Sequence, residues 1–113
     1  MHQPSRGEVW FVDLDPTRGK EIRGERPCLV ISVDPFNQGP AELVVVLPIT
    51  STDTGIPFHV RIDAPEGGVK KPSFIKTEQP RCIAIARFDR CWGTVSTATL
   101  EQVEDRLRIL LNL

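Results

Sequence analysis

The sequence predicts a mainly β chain, a small and strongly curved antiparallel sheet or barrel followed by one C-terminal α-helix. Three observations carry this. Short apolar runs of alternating or β-branched character recur along the chain, separated by segments rich in Gly, Pro, Asp and Asn. Only the last segment repeats its apolar residues at helical spacing. The 113 residues, 40% of them hydrophobic, suffice for one small domain (1–113) built on one core.

Gly7 to Leu14 alternates and reads as the first strand, with Val9 and Phe11 on one face and Trp10, Val12 and Leu14 on the other. The connection from Asp15 to Glu25 is far longer than the usual hairpin loop of about two to five residues. Its glycines and charges mark it as a binding loop as readily as a plain surface loop. The second strand runs from about Pro27 to Val33. Its start, Cys28 to Ile31, is continuously apolar, as in a strand buried on both faces. Arg26 stands at its mouth. The proline after it biases Arg26 towards an extended backbone, so the guanidinium is aimed by its own chain.

Asp34 to Pro40 is a dense turn signal. Leu43 to Ile49 is a central strand, with Pro48 marking an edge or bulge near its end. A polar loop follows from Thr50 to Gly55. The fourth strand is Phe58 to Ile62, and the fifth is about Ser73 to Glu78, stopped by Pro80. Arg81 to Phe88 is ambiguous and reads as a short helical turn, with a last strand from about Asp89 to Val95. Ser96 or Thr97 can cap the terminal helix. Leu100, Val103, Leu107, Leu110 and Leu111 form one apolar stripe on it, expected to pack on the sheet.

Several function classes are disfavoured. The two histidines, His2 and His59, and three cysteines show no metal-ligand spacing. No glycine-rich loop ends in Gly-Lys-Ser or Gly-Lys-Thr. The cysteines, Cys28, Cys82 and Cys91, lie in apolar contexts that suit inert thiols. Their odd number and the lack of an apolar leader point to a reduced cytoplasm, and no run is long enough for a membrane span. The net charge of −1 requires any phosphate-binding surface to be local. Arg18, Lys20, Arg23 and Arg26 are the candidates. A short single-stranded substrate needs fewer phosphate contacts than a duplex, so RNA remains open.

The ordered set Arg6-Gly7-Glu8-Val9-Trp10, Gly19-x-Glu21 and Gly24-x-Arg26-Pro27-x-Leu29-Val30-Ile31 resembles the MazF/PemK/Kid family of toxin endoribonucleases. The resemblance continues through Asn37, Pro48-Ile49-Thr50-Ser51, Ile56-Pro57-x-His59-Val60 and Glu78-Gln79-x-Arg81. It covers about Arg6 to Leu111. Each piece alone is common; the ordered set is specific. It implies an SH3-like barrel, a symmetric homodimer, a cognate antitoxin whose extended tail covers the RNA groove, and no cofactor. It gives Arg26 the main catalytic role, with Thr50 assisting. Pro80 and the apolar segment Cys82 to Ala86 depart from the family pattern, which bears on the RNA sequence preferred more than on the fold.

The chemistry of these residues fits that assignment in part. RNA carries its own nucleophile, the 2′-OH, and its cleavage needs neither a metal nor a covalent enzyme intermediate. The growing charge on phosphorus must be met, and a guanidinium is a planar fork of donors suited to phosphoryl oxygens. The Thr50 hydroxyl can add another donor. Arg26 opens strand two and Thr50 closes strand three, so antiparallel pairing puts them at one end of the sheet. Arginine's pKa, above ~12, makes it a better charge stabiliser than a general base. Glu21 is either a carboxylate that orients Arg26 or an exposed loop acid. Lys20, Asn37, Ser51, Phe58, Glu78, Gln79 and Arg81 are the candidates for RNA contact.

Two rivals belong to other classes. A non-catalytic toxin on the same fold could inhibit a protein target such as DNA gyrase, since fold does not fix function. A peptide-binding module would want an aromatic groove, which a chain with 6% aromatics and no tyrosine supplies poorly.

Overall fold

The computed structural model describes residues 2–113. Its strands are β1 (Glu8–Asp13), β2 (Glu25–Val30), β3 (Leu43–Thr50), β4 (His59–Ile62), β5 (Ser73–Lys76), β6 (Arg81–Ala84) and β7 (Phe88–Thr94). The α-helices are α1 (Asp34–Asn37) and α2 (Thr97–Leu111). Every strand pair is antiparallel, in the order β4-β5-β3-β2-β1-β7, with β6 also paired to β3. The chain thus adopts the predicted class, mainly antiparallel β with a C-terminal helix. The barrel does not close: β4 and β7 end the sheet, and among the described residues no ladder joins them.

β3 organises this sheet. One of its edges runs along β2, with Cys28 opposite Pro48 and Val30 opposite Val46. The other edge changes neighbour partway, from β6 at Leu43 to Val46 to β5 at Ile49 and Thr50. Pro48 falls in the gap between those two ladders, where a proline does least harm.

The expected single core is two clusters. Val9, Leu29, Leu47, Ile49, Val60, Ile62 and Ile75 gather on one face with Val103 of α2. Trp10, Val12, Leu14, Cys28, Val30, Val44, Val46 and Ile83 gather on the other. Alternation along β1, β2 and β3 sends successive side chains to opposite clusters. Burial on both faces is the reason Cys28 to Ile31 reads as an unbroken apolar run.

Four local expectations are corrected. Asp34 to Asn37 is one helical turn rather than a plain turn, with Pro35 near its start, where a missing N–H is tolerated. Arg81 to Ala84 is a strand, and the helical turn is the 3₁₀ segment Ile85–Arg87 after it. β5 stops at Lys76, because Thr77 N–H turns back to the Ile75 carbonyl at 3.1 Å. Of the apolar stripe on α2 only Val103 is buried, with Leu100 and Leu107 half-buried. Leu110 and Leu111 are exposed, so the stripe does not pack along its whole length. Of the three thiols Cys28 is buried, Cys91 half-buried and Cys82 exposed.

The start of α2 is fastened to the turn after β4. Ser96 is the N-cap, and its Oγ accepts from Thr99 N–H at 3.1 Å. The Glu66 carboxylate accepts from Ser96 N–H at 3.0 Å and from the Thr99 hydroxyl at 2.5 Å. Burial alone would raise the Glu66 carboxyl; the hydrogen bonds from Thr99 and Ser96 outweigh it and hold the group below its ordinary value of 4.5. Below 4.5 the unfolded chain takes up this proton first. The contribution of Glu66 is therefore present above 4.5 and is lost as pH falls through the folded value. Glu66→Gln is expected to cost about 1 kcal/mol at neutral pH, the worth of one such bond. It should also flatten part of the acid loss of stability, as followed by urea unfolding over a pH series. An unchanged acid slope would show that Glu66 does not contribute.

Candidate functional site

The β2–β3 ladder brings Arg26 and Thr50 together. Cys28 faces Pro48, and two residues further towards the mouth on each strand stand Arg26 and Thr50. Both line one cleft of about 280 Å³. Pro27, Ile49, Val69 and Trp92 give it apolar walls, while Arg26, Thr50, Ser51, Lys70 and Lys71 supply polar groups.

Arg26 is half-buried, and its Nε–H donates to the Arg23 carbonyl at 3.0 Å. That bond fixes the plane of the guanidinium and uses only Nε, which leaves both terminal NH2 groups for a ligand. Among the described residues no carboxylate forms an ion pair with it. Thr50 is buried, and its Oγ accepts from Thr52 N–H at 3.2 Å. A hydroxyl that accepts there still has its own proton to donate. The pair is thus a charged planar donor beside a neutral one, in a partly water-excluded cleft.

Cys28 lies close to this pair but is not a nucleophile at neutral pH. Burial pushes its thiol up to about 12, against the opposing pull of Arg81 and Arg26.

The other sequence-predicted residues fall into different places. Ser51 is exposed at the cleft, and Lys20 and Glu21 are exposed on the β1–β2 loop. Glu21 makes no ion pair with Arg26. Gln79 and Arg81 brace that loop from beneath: Gln79 Oε1 accepts from Ile22 N–H, and Arg81 Nη1 donates to the Leu14 carbonyl, both at 3.0 Å. Asn37 is fully buried, and its amide is engaged with Ser32, so it presents nothing to a base edge in this conformation. Phe58 is half-buried beside Pro57, Arg106 and Ile109, away from the Arg26 cleft. Glu78 Oε2 meets His59 Nε2 at 3.0 Å, and its Oε1 is buried with no partner. The His59 ring is 3% exposed and does not line the cleft, which disfavours it as an alternative base there.

Lys70, Lys71 and Trp92 are site residues that the sequence reading missed. The 3₁₀ turn Glu66–Gly68 presses on β7, carrying the two lysines to the cleft. The adjacent Gly67-Gly68 and Lys70-Lys71 pairs were a signal for a tight turn delivering charge, but nothing local shows where that turn docks.

Residues 5–111 match the family described as PemK-like, MazF-like toxin of type II toxin–antitoxin system. The chain belongs to that family. It is 39% identical to Endoribonuclease MazF9 of Mycobacterium tuberculosis over 113 residues, covering 96% of each protein. It is 35% identical to Endoribonuclease EndoA of Bacillus subtilis over 109 residues, covering 96% of this chain and 94% of EndoA. Among solved structures, MazF from Deinococcus radiodurans superposes with a TM-score of 0.86 at 28% identity, covering 100% of both chains. In this PemK/MazF toxin the cleft at the β2–β3 mouth therefore belongs to a fold shared from end to end with relatives named as endoribonucleases.

Proposed function

We propose that the protein is a sequence-selective endoribonuclease, the cytoplasmic toxin of a type II toxin–antitoxin pair, and that it cuts single-stranded RNA at the Arg26–Thr50 cleft. The observation that carries this is a half-buried guanidinium that, among the described residues, has no carboxylate partner, sharing a cleft with a hydroxyl that accepts one hydrogen bond and keeps its own donor capacity. In the reaction the 2′-oxygen attacks the adjacent phosphorus. A new 2′-O–P bond forms as the P–O5′ bond breaks, leaving a 2′,3′-cyclic phosphate and a 5′-OH. The 2′-OH gives up its proton and the departing 5′-oxygen gains one. Arg26 meets the negative charge that grows on the phosphoryl oxygens, and the Thr50 hydroxyl donates to the same group. Lys70 and Lys71 supply local positive charge that a net charge of −1 would otherwise deny the substrate. Ser51 and the exposed β1–β2 loop, with Lys20 and Glu21, face incoming RNA. The active form is a homodimer, and the partner that silences it is a cognate antitoxin.

The test is incubation of purified protein with single-stranded RNA in excess EDTA. Position-specific cuts with cyclic-phosphate ends support the nuclease and its independence of metal. Intact RNA favours a toxin acting on a protein target. Thr50→Ala is expected to lower the initial rate roughly tenfold, the worth of about one neutral hydrogen bond. Thr50→Ser keeps the hydroxyl and should retain most activity; equal losses in both variants would remove the hydroxyl from the mechanism.

A further inference from the structure

We propose that His2, Glu8 and Cys91 form a binding site for a divalent cation of the zinc type, at the far end of the β1–β2 ladder from the RNA cleft. One ligand atom from each residue, an imidazole nitrogen, a carboxylate oxygen and a thiol sulfur, lies within 4.8 Å of the others. That donor set suits zinc or cobalt and not magnesium or calcium, which take oxygen ligands.

The local fold assembles the three. Trp10 lies opposite Cys91 in the β1–β7 ladder, and Glu8 shares its face of β1. The Glu8 carboxylate is oriented by its far oxygen: Oε1 accepts from Ser5 N–H at 2.7 Å and from Trp10 Nε1–H at 3.0 Å. Oε2 is left to face His2 Nε2 at 2.8 Å. Outer contacts of this kind hold a ligating carboxylate in place. The His2 ring sits edge-on to Trp10, with centroids 5.3 Å apart.

A tetrahedral zinc site with bonds of ~2.0–2.3 Å sets its ligand atoms about 3.3–3.6 Å apart. The His2–Glu8 contact must therefore open slightly and the thiol draw in slightly. His2 is exposed and can make its share of that adjustment, and the half-buried Cys91 side chain must make the rest. His2 is exposed at the edge of this cluster, so solvent can supply a water as fourth ligand. On binding, the Cys91 S–H proton passes to solvent as the sulfur–metal bond forms. The ion ties the N-terminal segment to β1 and β7 and takes no part in RNA cleavage. The rival reading is a His2–Glu8 ion pair beside a thiol that only donates to the Gly93 carbonyl, at 3.7 Å.

The probe is Co²⁺, titrated into Cys82→Ser protein so that the exposed thiol does not compete. One Co²⁺ per chain is expected, with a thiolate-to-cobalt charge-transfer band that excess Zn²⁺ bleaches. Cys91→Ser in the same background should lose the band. His2→Ala should weaken Co²⁺ binding by at least about tenfold. His2 is exposed, so this variant is expected to fold even if Cys91→Ser does not, and it decides alone in that case. Absence of the band in the Cys82→Ser protein, or Co²⁺ affinity unchanged by His2→Ala, overturns the site.

Discussion

Arg26→Ala is expected to lower the rate of RNA cleavage by about 10²–10³-fold, the usual loss when one preorganised donor is removed from a developing charge. A share in proton transfer would deepen the loss. Stability is expected to stay within about 0.5 kcal/mol, since the side chain is half-buried and outside both apolar clusters. Arg26→Lys should recover little. An ammonium keeps the charge but loses the planar fork and the Nε–H bond to the Arg23 carbonyl that sets its plane. The readout is the initial rate on one single-stranded RNA in EDTA, with each variant's fold checked by circular dichroism. A rate within about tenfold of wild type, less than one donor's share, would show that Arg26 is not the centre of the reaction.

The Arg26–Thr50 juxtaposition was legible in the sequence because it depends on strand phase alone. A proline stands just before the unbroken apolar run of β2, that run marks the strand as central, and Thr50 ends the next such run; the strand itself begins two residues before the proline, at Glu25. Antiparallel pairing of consecutive strands then leaves those two residues at one mouth. β6 was not legible: of Arg81 to Ala84 only Ile83 is buried, so the alternation is too short to distinguish a strand from a turn. Asn37 read as a loop-mouth base reader, since its burial arises from the fold of α1 over Ser32 and leaves no trace in local pattern. The stripe on α2 was legible, but the exposure of Leu110 and Leu111 at its end was not. Lys70 and Lys71 depend on a contact between the turn after β4 and β7, distant in sequence, and that contact is a matter of backbone shape.

That contact gives the second large effect, a loss of about 2–5 kcal/mol on Gly68→Ala, combining left-handed strain with overpacking. Gly68 has φ +79°, and a Cβ built on it would meet the Trp92 carbonyl oxygen at 2.3 Å and its carbon at 2.7 Å. Neither atom belongs to a flexible side chain, so the turn and β7 must part. Gly93 faces the same junction, where an added Cβ would lie 3.0 Å from Gly68 N. Parting them also withdraws Val69, Lys70 and Lys71 from Trp92 across the cleft, so RNA cleavage should fall even in the fraction that remains folded. Gly24→Ala is the matched control. Its φ is +81°, but an added Cβ meets nothing within 4 Å. It should therefore lose only the left-handed strain, about 1–2 kcal/mol. Urea unfolding of both variants separates strain from collision. If Gly68→Ala loses no more stability than Gly24→Ala, the turn yields freely, and the tight seat proposed to hold the two lysines at the cleft does not exist.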